Sequence, residues 1–84
     1  MQKSRSTEAY RHLCDLLIKA RKKAGLTQAQ LAERLGRPQS FVAKYESGER
    51  RLDVVELVTI ARAIETDPVR MVRSVARKLL ETEP

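Results

Sequence analysis

Apolar positions recur along the chain at the three-four spacing of helices, and glycine, proline or short polar residues interrupt them at intervals. From Thr7 to Ala24, a stripe of Tyr10, Leu13, Cys14, Leu17 and Arg21 predicts the first helix. Lys19, Arg21, Lys22 and Lys23 crowd its last turns, where positive charge complements the helix dipole, and Gly25 follows as a cap. Thr27 opens a second helix, with Gln30 three residues later completing a capping box. Leu31, Ala32 and Leu35 give it an inward face, and Gly36 supplies the left-handed residue that stops it. A third helix is expected from Gln39 to Ser47, with Val42, Tyr45 and Glu46 on one side and Ser40, Ala43 and Lys44 elsewhere. Glu49-Arg50-Arg51 reads as a charged loop. Asp53 then caps a fourth helix reaching about Glu65, buried through Leu57, Ile60, Ala61 and Ile64.

Asp67-Pro68 places a cap before a proline at the first helical position, a start signal for a fifth helix over 67–81. It carries Val69, Val72, Val75, Ala76 and Leu79, with Arg70, Arg73, Arg77 and Lys78 outside. Met1 to Ser6 is polar, basic and unpatterned, which predicts a flexible arm (residues 1–6) before a single domain (7–84). The expected fold class is therefore all-α, with five helices.

Composition agrees with that choice. The chain has 84 residues, 42% of them hydrophobic but only 4% aromatic, so Leu, Val, Ile and Ala must build the core. Such a core suits packed helices better than a sheet sandwich. Seventeen Lys and Arg against 11 Asp and Glu give +6 and a pI near 10.0, a bias that either serves solubility or attracts a polyanion. The single Cys14 excludes an intrachain disulfide framework and a cysteine-rich zinc site, and with only His12 besides, no metal-ligand cluster or cofactor site is expected. Neither a Ser–His–Asp nor a Cys–His arrangement nor a phosphate loop is present, so catalysis is not expected, and Cys14 reads as a core thiol. No run approaches 18 apolar residues and Met1 to Tyr10 is too polar for a secretory signal, which predicts a cytoplasmic protein free of membrane contact.

Two short helices joined by a glycine turn can form an ordinary hairpin in a bundle, or can hold the second helix in the major groove of DNA. Leu26-Thr27-Gln28-xx-Leu31-Ala32-xxx-Gly36, then Val42-xx-Tyr45-Glu46-xx-Gly48, resembles the helix-turn-helix of the phage repressor and Cro-like proteins, the XRE family. The likeness runs from Arg21 to about Ile64 and implies a five-helix, lambda-repressor-like DNA-binding domain.

By that resemblance, Gln28 holds a DNA phosphate at a helix N-terminus, already an anion site. Gln39, Ser40, Ala43 and Lys44 match outward positions on the recognition helix. Gln pairs with adenine, Lys donates to guanine, and Ala43 offers an apolar contact. Glu46 matches the acid that pairs with an arginine of the first helix, here Arg21. Arg50 and Arg51 match backbone-gripping positions, and Ser47 and Arg37 join the phosphate-binding set. Lys3 and Arg5 either wrap DNA as an arm or, as is commoner for such a tail, are merely disordered. Two departures blur the target: Arg37-Pro38 replaces the family's small or apolar residue and capping hydroxyl, and Phe41 falls on a partly outward position, where packing against the loop around Leu52 is favoured over a base-methyl contact.

The fifth helix has more apolar surface than a cap over the fourth requires. Val69, Met71, Val72, Val75 and Leu79 either complete the core or form a homodimer face. A two-fold dimer would set two recognition helices about 34 Å apart on a palindromic operator. The expectation is a transcriptional regulator of double-stranded DNA, repression being the family's commoner outcome. The alternative is an antitoxin or protein-binding adaptor of the same fold, working through a toxin or another protein; a polymerase partner also stays open. No second domain or effector pocket for a small-molecule ligand is visible in the sequence.

Overall fold

The computed structural model describes residues 5–81, with five α-helices: α1 (Arg5–Lys23), α2 (Gln28–Leu35), α3 (Gln39–Glu46), α4 (Val54–Ala63) and α5 (Pro68–Glu81). Helix α1 begins at Arg5, two residues before the expected Thr7, and Ala9 is already buried in its second turn. Lys3 and the side chain of Arg5, the two arm cations, lie outside the described residues.

The boundaries have local causes. Gly25 and Gly36 adopt φ of 77° and 66°, where a Cβ would be strained, and each is followed by an amide that reaches back to the helix it ends. Leu26 donates to the Arg21 carbonyl and Arg37 to that of Ala32, satisfying carbonyls that the helix ends would orphan. At α2, Thr27 accepts from the Gln30 amide (3.1 Å) while Gln30 accepts from the Thr27 amide (2.9 Å), the reciprocal box read from the sequence. Asp53 and Glu56 repeat the device at α4. Pro38 starts α3 without a side-chain cap, and Pro68 opens α5 with the Asp67 carboxylate accepting from the Val69 amide.

Helix α4 stops at Ala63 rather than Glu65. Glu65 takes φ 56°, the left-handed residue of a glycine-free stop, and Thr66 donates to the Ala61 carbonyl. The helix end is also closed by Arg34, whose guanidinium donates to the Ala63 carbonyl at 3.0 Å.

Helix α1 packs on α5 and on α3, while α2 packs on α3 and α4. Leu13 and Leu17 of α1, Leu31 and Ala32 of α2, Val42 and Tyr45 of α3, Leu57, Ile60 and Ile64 of α4, and Met71 of α5 meet in one aliphatic core. Burying such side chains stabilises by roughly 1.5–3 kcal/mol each, which is what holds two eight-residue helices that would not persist alone. Helix α5 docks through Met71 and Val75. These two therefore belong to the core and not to a free dimer face, because the helix turns that edge toward α1. Val69 (59% exposed), Val72 (53%) and Leu79 (37%) remain outward.

Candidate nucleic-acid interface

The centre of the helix-turn-helix is a buried charge cluster. The Arg21 Nε donates to Glu46 Oε2 at 2.8 Å, and its Nη2 donates to Oε1 at 3.1 Å. Arg21 Nη1 donates to the Leu26 carbonyl (2.8 Å). Only 8% of Arg21 and 5% of Glu46 is exposed. A fork-to-fork pair with this geometry fixes orientation as well as charge, so it sets α3 against α1. Gln28 completes it: its Nε2 donates to Glu46 Oε1 at 2.9 Å, tying the start of α2 to the same carboxylate. One of the two amide hydrogens of Gln28 is thus committed to Glu46, and the second has no acceptor among the described residues.

With Glu46, Phe41, Val42 and Tyr45 turned inward, α3 presents Gln39, Ser40 and Lys44 to solvent and Ala43 half-buried between them. Positions 39, 40, 43 and 44 form one face of a helix. Among the described residues, the side chains of Gln39, Ser40 and Lys44 make no hydrogen bond within the protein, so their donors and acceptors face outward uncommitted.

Around this face lie cations with unequal freedom. Arg37 stacks on the Phe41 ring, its guanidinium carbon 4.0 Å from the centroid. Arg50 lies over the same ring at 4.9 Å, but its fork also grips Glu56 with contacts of 2.8 and 3.1 Å. The hydrogen bond to Glu56 raises the Arg50 pKa, and the same bond holds the Glu56 carboxyl below its usual range. Arg50, expected to grip a phosphate, is therefore already paired, since the capping acid of α4 sits within its reach. Arg51 carries no carboxylate partner among the described residues and lies over Tyr10 at 4.6 Å. Ser47 closes α3 by donating to the Lys44 carbonyl (3.0 Å) and accepting from the Glu49 amide (3.3 Å).

Phe41 is buried, edge-on to Tyr45 with centroids 5.4 Å apart. It packs between the end of α2 and the first turns of α4, where Leu35, Val55 and Ile60 line the same hollow. This takes it off the outward face, and it packs inward against the end of α2 and the first turns of α4.

Several participants were not anticipated. Tyr10 pins the loop after α3: its hydroxyl donates to the Arg50 carbonyl (3.1 Å) and accepts from the Leu52 amide (3.0 Å), and partial burial raises its pKa. Arg11 reaches the Ser47 carbonyl at 3.4 Å, bringing a cation of α1 beside the α3–α4 loop, and only the three-dimensional crossing of α1 and α3 reveals this. His12 meets Ser74 of α5 at 2.7 Å. Cys14 is buried, its thiol donating to the Tyr45 carbonyl (3.3 Å), and burial raises its pKa away from the reactive thiolate.

This arrangement, a braced two-helix unit with an uncommitted polar face flanked by arginines, defines a DNA-binding helix-turn-helix. The comparisons agree. The helix-turn-helix family model matches residues 17–70. A solved structure described as an XRE-family like protein from Pseudomonas syringae pv. tomato str. DC3000 is 51% identical, with a TM-score of 0.79, over 83% of this chain and 85% of that one. No curated protein matches. The chain belongs to the XRE-type helix-turn-helix family, a family of DNA-binding regulators. No helix among the described residues is long and apolar enough to cross a membrane.

Proposed function

We propose that the protein is a sequence-specific transcriptional regulator, acting in the cytoplasm without catalysis, which binds a palindromic operator as a homodimer and represses by covering it. The observation that carries this reading is the α3 face of Gln39, Ser40, Ala43 and Lys44, free of internal hydrogen bonds and oriented by the buried Arg21–Glu46 pair. In the major groove Gln39 would pair with adenine and Lys44 with guanine acceptors, with Ser40 and Ala43 reading beside them. The second amide hydrogen of Gln28, the amides at the start of α2, Arg37 and Arg51 would hold phosphates, and Ser47 would join them by turning its hydroxyl off the Lys44 carbonyl. Arg11 joins them from α1, and Arg50 supports the loop instead.

Dimerisation is supported by the outward Val69 and Val72 on α5. Helix α4 adds Val54 (74% exposed), Val55 and Val58, which the sequence pattern had not singled out. Val69 and Val72, like Val54 and Val58, share one face of their helix, and exposed apolar faces of this kind mark protein contacts. A single module of this size binds weakly, and two would share one operator.

Selecting bound duplexes from a random DNA pool tests the proposal. An inverted repeat with half-site centres about 34 Å apart is expected. Binding without sequence preference, or a single unrepeated half-site, would contradict it.

A further inference from the structure

Helix α5 has three edges with different chemistry. Met71 and Val75 enter the core, Val69 and Val72 form the outward apolar edge, and Arg70, Arg73 and Arg77 repeat at i, i+3 and i+7 along the third. This third edge borders an open groove of about 520 Å³ between α5 and α1. The apolar part of its lining is Leu16, Ala20 and Met71, and the three arginines also line it. Lys19 and Lys23 follow Leu16 by three and seven residues, so they lie along the same face of α1 as Leu16 and Ala20.

Among the described residues none of these five cations has a carboxylate within ion-pair distance. Asp67, the acid at the end of the groove, is already engaged with the Val69 amide as the cap of α5. Three arginines on one helical edge repel one another, whereas an arginine fork is well matched to a carboxylate. Nucleic acid would meet the cations but leave the apolar floor unused. A second copy presenting the same edge across a two-fold axis would set arginines against arginines. An acidic segment with apolar side chains satisfies both the rim and the floor.

We propose that the α1–α5 groove docks an acidic, amphipathic segment of a partner protein, its carboxylates on Arg70, Arg73 and Arg77 and its apolar side chains over Leu16 and Ala20. The groove uses a different edge of α1 from Cys14 and Arg21, which touch α3. Docking there is therefore compatible with an occupied DNA face, and it does not depend on what that face binds.

The test titrates the isotope-labelled full chain with a synthetic helical peptide carrying Glu on one face and Leu on the other, and with the same peptide having Lys for Glu. The Glu peptide should shift the amides of Leu16, Ala20, Arg73 and Ser74, and the Lys peptide should shift none of them. R70E/R73E/R77E should weaken the Glu peptide by roughly tenfold or more, as three exposed ion pairs imply. R70Q/R73Q/R77Q, which is gentler on folding and is checked by thermal melting, should weaken it in the same direction. Shifts confined to α3 and the loop after it would mean that the peptide merely mimics DNA, and would overturn the proposal. So would unchanged affinity in the glutamine variant. An equal loss of binding to a non-specific DNA duplex would reassign the groove to nucleic acid.

Discussion

The α2–α3 half of the molecule and the α4–α5 half are both built from short amphipathic helices, yet they differ in how their geometry is held. In the first, a glycine stops α2 and a buried carboxylate with three donors on it locks α1, α2 and α3 together. In the second, α4 stops on a strained glutamate and α5 rests on α1 mainly by apolar docking, with a His12–Ser74 hydrogen bond between them. A recognition surface must be placed within a fraction of an ångström, so its supports are directional. The α4–α5 half has directional contacts too, Arg34 on the Ala63 carbonyl and Arg50 on Glu56, but α5 itself is held mainly by burial.

The sharpest way to break this comparison is to remove the carboxylate. Glu46→Ala leaves the Arg21 guanidinium buried and unpaired and frees Gln28, so it should cost about 3–5 kcal/mol in urea denaturation and weaken DNA binding as well. Unchanged stability would place α3 under apolar control like α5. On the other half, Val72→Glu should leave the melt of the isolated chain nearly unaltered, while raising the dimer dissociation constant about tenfold or more in sedimentation. A loss of folding instead would move Val72 into the core.

A smaller effect concerns Tyr45, which is fully buried with a hydroxyl that finds no partner. Tyr45→Phe removes an unsatisfied polar group and should stabilise by about 1 kcal/mol. Burial also raises the Tyr45 pKa above its usual 10.0, so the folded state holds the phenolic proton more tightly than the unfolded chain does. Its contribution is therefore fully present below pH 10 and is lost as pH rises beyond that; the Phe variant should lose less stability in alkaline melts.

The smallest contrast compares the two left-handed stops. Gly36→Ala should cost about 1 kcal/mol, although no atom lies within 4 Å of the added Cβ, because the conformation itself is disfavoured. Glu65→Gly should be neutral or gain up to about 1 kcal/mol by relieving the same strain. Opposite signs in thermal melts would support the reading, and equal losses would not.

Legibility in the sequence follows the same division. The capping box of Thr27 and Gln30, the stop at Gly36 and the start at Pro68 are signals carried by neighbouring residues, and they could be read directly. The Arg21–Glu46 pair spans 25 positions and was reachable only through the family's motif. Arg50 looks free in the sequence because nothing there marks Glu56, six residues on, as its partner, and Arg11 and Tyr10 gain roles only where α1 crosses the α3–α4 loop. The stop at Glu65 was invisible because no glycine marks it. Helix α5 misled for a related reason: its apolar residues cover more than one face, and periodicity cannot say which face a neighbouring helix will cover. Met71 and Val75 went inward, and Val69 and Val72 did not.

The proposed function has α3 reading bases while the surrounding arginines hold the backbone. It is tested most directly by selecting bound duplexes from one random pool with the wild type, Gln39→Ala and Arg51→Gln side by side. The account predicts that Gln39→Ala relaxes the preference at one position in each half-site, by about 1–3 kcal/mol of discrimination. Arg51→Gln should weaken all sequences alike and lower the salt dependence by about one unit of slope. Uniform weakening by Gln39→Ala with every base preference intact would contradict it.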